Sequence, residues 1–154
     1  MRVGPLLARR FLMAFDAHTL AIEVVRALRD PVAKLRQRDP DLADQVRRAA
    51  NSVALNLDEG RWRTGKDRSN RFRIAAGSAG ELRTALQLAE DWGDVSPSEV
   101  AQVRTVLDRL IAILWRLLHP APSTAARSST ASTPVSLPAP DATPSPSPPA
   151  SAIK

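Results

Sequence analysis

The chain has 154 residues, 22 Lys+Arg against 16 Asp+Glu, 13 prolines and no cysteine. Without cysteine there is neither a disulfide framework nor a thiolate metal site, and no apolar run approaches the ~20 residues of a membrane-spanning helix, so a soluble cytoplasmic protein is the default. Nine of the prolines lie from Pro120 onward, which leaves residues 15–119 as one foldable domain with a modest core that oligomerisation would help.

Residues 1–14 carry three arginines between apolar pieces too short for a signal-peptide core, and read as a flexible N-terminal segment. The first helix is expected to start near Asp16 or Thr19 and to run to about Arg38. Ala17, Leu20, Ala21, Val24, Leu28, Val32 and Leu35 recur there at three- and four-residue steps. Pro31 lies inside this pattern without a backbone N–H, which predicts a bend or a break around Arg29 and Asp30.

Asp39-Pro40 starts a second helix, the acid as cap and the proline in the first turn. Its stripe is Leu42, Val46, Ala49, Val53 and Leu57, and either Gly60 or Gly65 is expected to end it. A third helix begins near Lys66 and carries Phe72, Ala75, Ala79, Leu82, Leu86 and Ala89 at coiled-coil spacing. Gly77 and Gly80 cost it roughly 1 kcal/mol each relative to alanine, which close approach of a neighbouring helix would offset.

Ser96-Pro97-Ser98-Glu99 has the spacing of a capping box and opens a fourth helix. Val100, Val103, Leu107, Leu110, Leu114 and Leu117 form its seam, and Val106, Ile111, Ile113 and Leu118 widen the apolar surface. That excess fits either a subunit contact or a broad core-facing stripe. Residues 120–154 are rich in proline, serine and threonine with almost no charge, and are expected to be a disordered tail. With no strand signal, the expected fold class is all-α: an up-down-up-down antiparallel four-helix bundle.

Catalytic chemistry finds little support. His18 and His119 lack a second ligand at metal spacing, and there is no phosphate loop or nucleophile–base pattern. No metal, no cofactor and no enzymatic activity are expected. The unusual stretch is Ala49–Gly60, where Ser52, Asn56 and Glu59 share a face beside the apolar stripe. Such groups must be hydrogen-bonded if buried, so they form either a lock on helix register or the lining of a ligand pocket.

Immediately after them, Arg61, Arg63, Lys66, Arg68, Arg71 and Arg73 crowd the junction of the second and third helices, with Asp67 the one acid among them. Arg47 and Arg48 would extend this surface along the second helix. Phosphate backbones are drawn to such a patch, and an arginine beside Trp62 could stack an unpaired base. The alternative is a solvated face whose cations pair with Asp58, Glu59, Asp67 and Glu81.

Gln45, Arg48, Ala49, Ser52, Asn56, Glu59 and Gly60, followed by Ala75, Gly77, Ser78, Glu81 and Leu82, fill a spaced pattern. That pattern resembles the bacterial four-helix bundle protein family, over about Phe15 to Leu118. The family includes proteins encoded in intervening sequences of large-subunit ribosomal RNA genes and accessory variability determinants of diversity-generating retroelements. Asp58, Trp62 and the long tail lie outside the pattern.

The resemblance adds Gly60, Gly77, Ser78 and Glu81 to the structural seam. It also implies a ring-like homo-oligomer, commonly a pentamer; in the retroelement members its basic surface meets RNA or DNA and the partner reverse transcriptase. The resulting expectation is a non-enzymatic, nucleic-acid-associated accessory protein. Its alternative is a purely structural protein–protein module.

Overall fold

The computed structural model of the chain describes residues 5–120, with side chains from Leu12 onward. It contains five helices: α1 Pro5–Ala27, α2 Arg29–Arg38, α3 Pro40–Trp62, α4 Gly65–Asp91 and α5 Pro97–Leu118. No strand occurs among the described residues, and the fold is an all-α helical bundle. The helices neighbour one another in the cyclic order α1–α3–α4–α5, with α2 packed mainly on α3. Residues 1–4 and the tail from residue 121 lie outside the described residues, and with them the disorder expected there.

Contacts across the helix pairs run in opposite chain directions. Between α3 and α4, Ser52 meets Ser78 while Glu59 meets Arg71. Between α1 and α3, His18 approaches Asp58 while Val25 lies beside Ala50. The two-residue link Arg63–Thr64 leaves α3 and α4 no choice but an antiparallel hairpin.

One boundary differs from expectation. Helix α1 begins at Pro5 rather than near Asp16, so residues 5–14 are helical and not a separate flexible segment. After Pro5, which suits a first helical position, no glycine or proline interrupts the chain before Pro31. Ala14 is fully buried, so the extension is tied to the core. At the other end the helix breaks at Leu28, next to the Arg29 and Asp30 around which a bend or break is expected. Pro31 has no N–H to give the Ala27 carbonyl, so the ladder loses that rung. Leu28 keeps helical dihedrals (φ −76°, ψ −11°), its N–H reaching Val24 and its carbonyl receiving Val32. The break is a missing bond without a loop.

The second difference concerns glycines. Neither Gly60 nor Gly65 ends α3, which runs through Gly60 to Trp62. Gly65 instead opens α4 with a left-handed φ of +57°. Gly77 and Gly80 do not admit a neighbouring helix: a Cβ at either would meet nothing within 4 Å. The close approach is at Gly60, where the buried Phe72 ring fills the space a side chain would need.

Start signals act as their chemistry requires. Asp39 Oδ1 accepts the Leu42 N–H at 2.8 Å with Pro40 next in the helix. The capping box at Ser96 forms, and its Glu99 carboxylate also receives Lys34 Nζ from α2 at 2.8 and 2.7 Å. The expected seams of α4 and α5 are buried throughout. Val106 joins the core, whereas Ile111, Ile113 and Leu118 are only partly covered. Leu42 and Val32 are likewise half-buried at the flanks.

The Lys34 ammonium, then the Ser96 N–H and hydroxyl, hold the Glu99 carboxyl down to about 2. A depressed carboxylate pKa stabilises the fold above the ordinary value of 4.5 and loses that contribution as pH falls toward 2. Thermal melts should therefore show Glu99→Gln below the parent at pH 6, with the two converging near pH 2. A gap that persists at pH 2 would mean that the carboxylate charge is not the cause.

Candidate nucleic-acid interface

The C-terminal half of α3 and the N-terminal half of α4 form a polar layer on the rim of the core. Ser52 and Ser78 hydroxyls bond at 2.8 Å across the helix pair. Asn56 Nδ2 donates to the Ser52 carbonyl at 2.8 Å, and Asn56 Oδ1 accepts from Arg71 Nη1 at 3.4 Å. Glu59 Oε1 receives Arg71 Nη2 at 2.9 Å and Arg63 Nη2 at 3.0 Å. One connected network thus runs from Ser78 to Arg63 and joins α3 to α4 at three levels. Partners at fixed heights on both helices penalise a slip in register, because any slip strands half-buried polar groups.

Four predicted seam residues, Ser52, Asn56, Glu59 and Ser78, belong to this network, and Gly60 supports it through Phe72. Gly77 and Glu81 do not. Gly77 is exposed, and Glu81 is exposed on α4 without a hydrogen bond or ion pair to another described residue. The seam reading is corrected at both positions: Gly77 and Glu81 lie one turn apart on an outward face of α4, with Gly77 rotated about 100° from the buried Ser78.

The basic residues divide into two sets. Arg61 pairs with Asp58 at 2.6 Å and lies 5.2 Å from the Trp62 ring centroid. Arg63 bridges Glu59 and Asp67, and Arg71 is held by Glu59 and Asn56. The Arg68 guanidinium rests 5.3 Å from the Phe72 ring centroid. These side chains are held in place by their partners. Lys66 and Arg73 are exposed on α4 without a carboxylate partner among the described residues, two turns apart on one face. Arg48 is exposed and, among the described residues, its side chain bonds to the neutral Gln45 amide alone, at 2.9 Å. Arg47 touches Asp44 at 3.6 Å.

From Asp58 to Arg73 there are six cations and three carboxylates, so a surplus of three positive charges survives the internal pairing. Trp62 projects from this cluster with 69% of its surface exposed. The arrangement offers exposed cations beside an open aromatic face, with carboxylate-paired arginines next to them. That combination suits phosphate attraction with sequence-tolerant stacking.

The helical hairpin with this polar layer carries a family signature. Residues 12–116 match the 23S rRNA-intervening sequence protein family. The chain belongs to that family. The match covers the described bundle almost end to end, and no curated protein matches the chain. Membership agrees with the all-α helical bundle.

No cluster of three potential metal ligands occurs among the described residues. No described helix is long and apolar enough to cross a membrane. Sequence reasoning missed Arg29 and Asn51, which share a groove with Arg47 on the α1–α3 side. The signal was present: Asn51 sits one turn after Arg47, and Arg29 sits at the break that Pro31 predicts.

Proposed function

We propose that this protein is a non-enzymatic, homo-oligomeric accessory protein that binds nucleic acid through the basic surface at the α3–α4 junction. The observation that carries this reading is the surplus of three cations around Trp62, with Lys66 and Arg73 free of carboxylate partners among the described residues. The family name, which ties its members to ribosomal RNA intervening sequences, supports RNA as the polyanion. Self-association is supported by exposed large apolar residues on several faces, among them Trp115, Leu88 and Ile74. A ring-like, pentameric assembly and a reverse-transcriptase partner follow from the resemblance to retroelement accessory proteins and belong to the same proposal.

Phosphate contacts make affinity fall steeply with salt. Anisotropy titrations with a labelled single-stranded RNA and a duplex DNA, each at 50 and 200 mM salt on the order used to resolve counterion release, test the reading. Binding at low salt that weakens strongly at the higher one is the expected result. No binding at low salt rejects it in favour of a protein–protein module, for which the same exposed apolar residues are the specific support.

A further inference from the structure

A groove of about 340 Å³ lies where the α1–α2 break faces α3. Its floor is apolar, made by Val25, Leu28, Val32 and Ala50. Its rim carries Arg29, Arg47 and Asn51. The groove lies beside the break at Leu28, where Pro31 leaves the Ala27 carbonyl without its helical donor. Arg29 and Asn51 are exposed, and neither side chain has a hydrogen-bond or ion-pair partner among the described residues. Asp44 touches Arg47 from one side but also pairs with Arg36, so it does not cancel the rim's positive charge.

The groove is continuous with the candidate interface. On α3, Arg47, Asn51, Leu55, Asp58 and Trp62 fall within one narrow stripe at 100° per residue. From Arg47 to Trp62 the stripe is about 22 Å long at 1.5 Å per residue. Leu55 is 69% exposed on it, and Phe15 of α1 is exposed toward its far end. Asp58 is its one acid, and it is paired with Arg61 and lies 3.9 Å from His18. One cation, one amide and two exposed apolar side chains, Leu55 and Trp62, therefore follow one another along this helix with a single paired acid among them, a pattern that suits the first phosphate and the flat bases of a flexible single strand.

We infer that this groove seats one unpaired nucleotide of a single-stranded nucleic acid whose neighbours run along α3 toward Trp62. The base lies on the apolar floor, the flanking phosphates meet Arg29 and Arg47, and the Asn51 amide bonds to the base edge. A paired base is not available to such a floor, so the groove prefers single strands to duplex. This rests on the nucleic-acid reading above and adds a site and a strand preference to it.

The test is fluorescence anisotropy of the full chain with a labelled single-stranded RNA and the matching duplex. Arg29→Ser combined with Asn51→Ala is expected to weaken single-stranded RNA about tenfold and to leave the duplex within about twofold. Both residues are exposed, and circular dichroism should show unchanged helicity; Asn51→Asp alone should weaken single strands in the same direction. Equal effects on both nucleic acids, or none, overturn the groove assignment while the basic-surface reading stands. No binding by the parent overturns both. Tighter binding of a labelled polyglutamate peptide than of RNA, lost in the double variant, would also overturn it and give the groove to an acidic protein.

Discussion

Replacing Gly60 with alanine is expected to destabilise the bundle by about 1–3 kcal/mol, although alanine is the better helix former. A Cβ there would lie 2.6 and 2.8 Å from Phe72 Cε1 and Cδ1 and 3.1 Å from Arg71 Cβ. Phe72 is 1% exposed and cannot swing away without opening the core. Arg71 is fixed by Glu59 and Asn56, so its backbone cannot yield cheaply either. Phe72→Ala removes the ring and should cost about 3–5 kcal/mol by the usual cavity and transfer terms.

The pair must then be non-additive, since the second substitution removes the clash that the first creates. Gly77→Ala is the control with the opposite sign: open space and an exposed helix position predict a gain of about 0.5–1 kcal/mol. Urea melts of the four proteins decide it. If Gly60→Ala and Gly77→Ala shift the midpoint the same way, the close contact with Phe72 is not what holds Gly60.

The second large effect concerns binding. Substituting Arg48, Lys66 and Arg73 with serine should flatten the salt dependence of single-stranded RNA binding by about 2 in log–log slope, near 0.7 per lost phosphate contact. The melting temperature should barely change, because none of the three holds a carboxylate. Substituting Arg61, Arg63 and Arg71 instead removes the same formal charge but strands Asp58, Glu59 and Asp67. That variant should lose thermal stability as well as affinity. A parent-like slope in the Arg48/Lys66/Arg73 variant would move the phosphate contacts away from this surface.

The two experiments separate a role that the residue types alone run together. Six cations in thirteen residues look alike in a sequence. In the fold, Arg63 and Arg71 belong to the polar layer that joins α3 to α4 and Arg61 pairs with Asp58 within α3, while Lys66 and Arg73 are exposed. The layer and the surface depend on each other: Arg71 and Arg63 neutralise Glu59, and the unpaired cations then dominate the local field.

Much about this protein was written in stretches a few residues long. The seams of α4 and α5, the Asp39 cap and the Ser96 capping box depend on periodicity and on neighbours one turn away, so local reading recovers them. The spaced Ser52–Glu59 and Ala75–Leu82 motifs likewise pointed to the family that residues 12–116 match.

What only the tertiary structure decided was which side chains find partners on another helix. Gly60 reads locally as a stop, yet it is a contact, because Phe72 of α4 arrives at its surface. Gly77 and Gly80 read as a close approach, yet they face open space because no helix covers that side of α4. Arg29 and Asn51 lie 22 positions apart in the sequence and line one groove only because α3 packs beside the α1–α2 break. Helix formation is encoded over four residues, whereas pairing across helices depends on rotation and register that no single segment specifies.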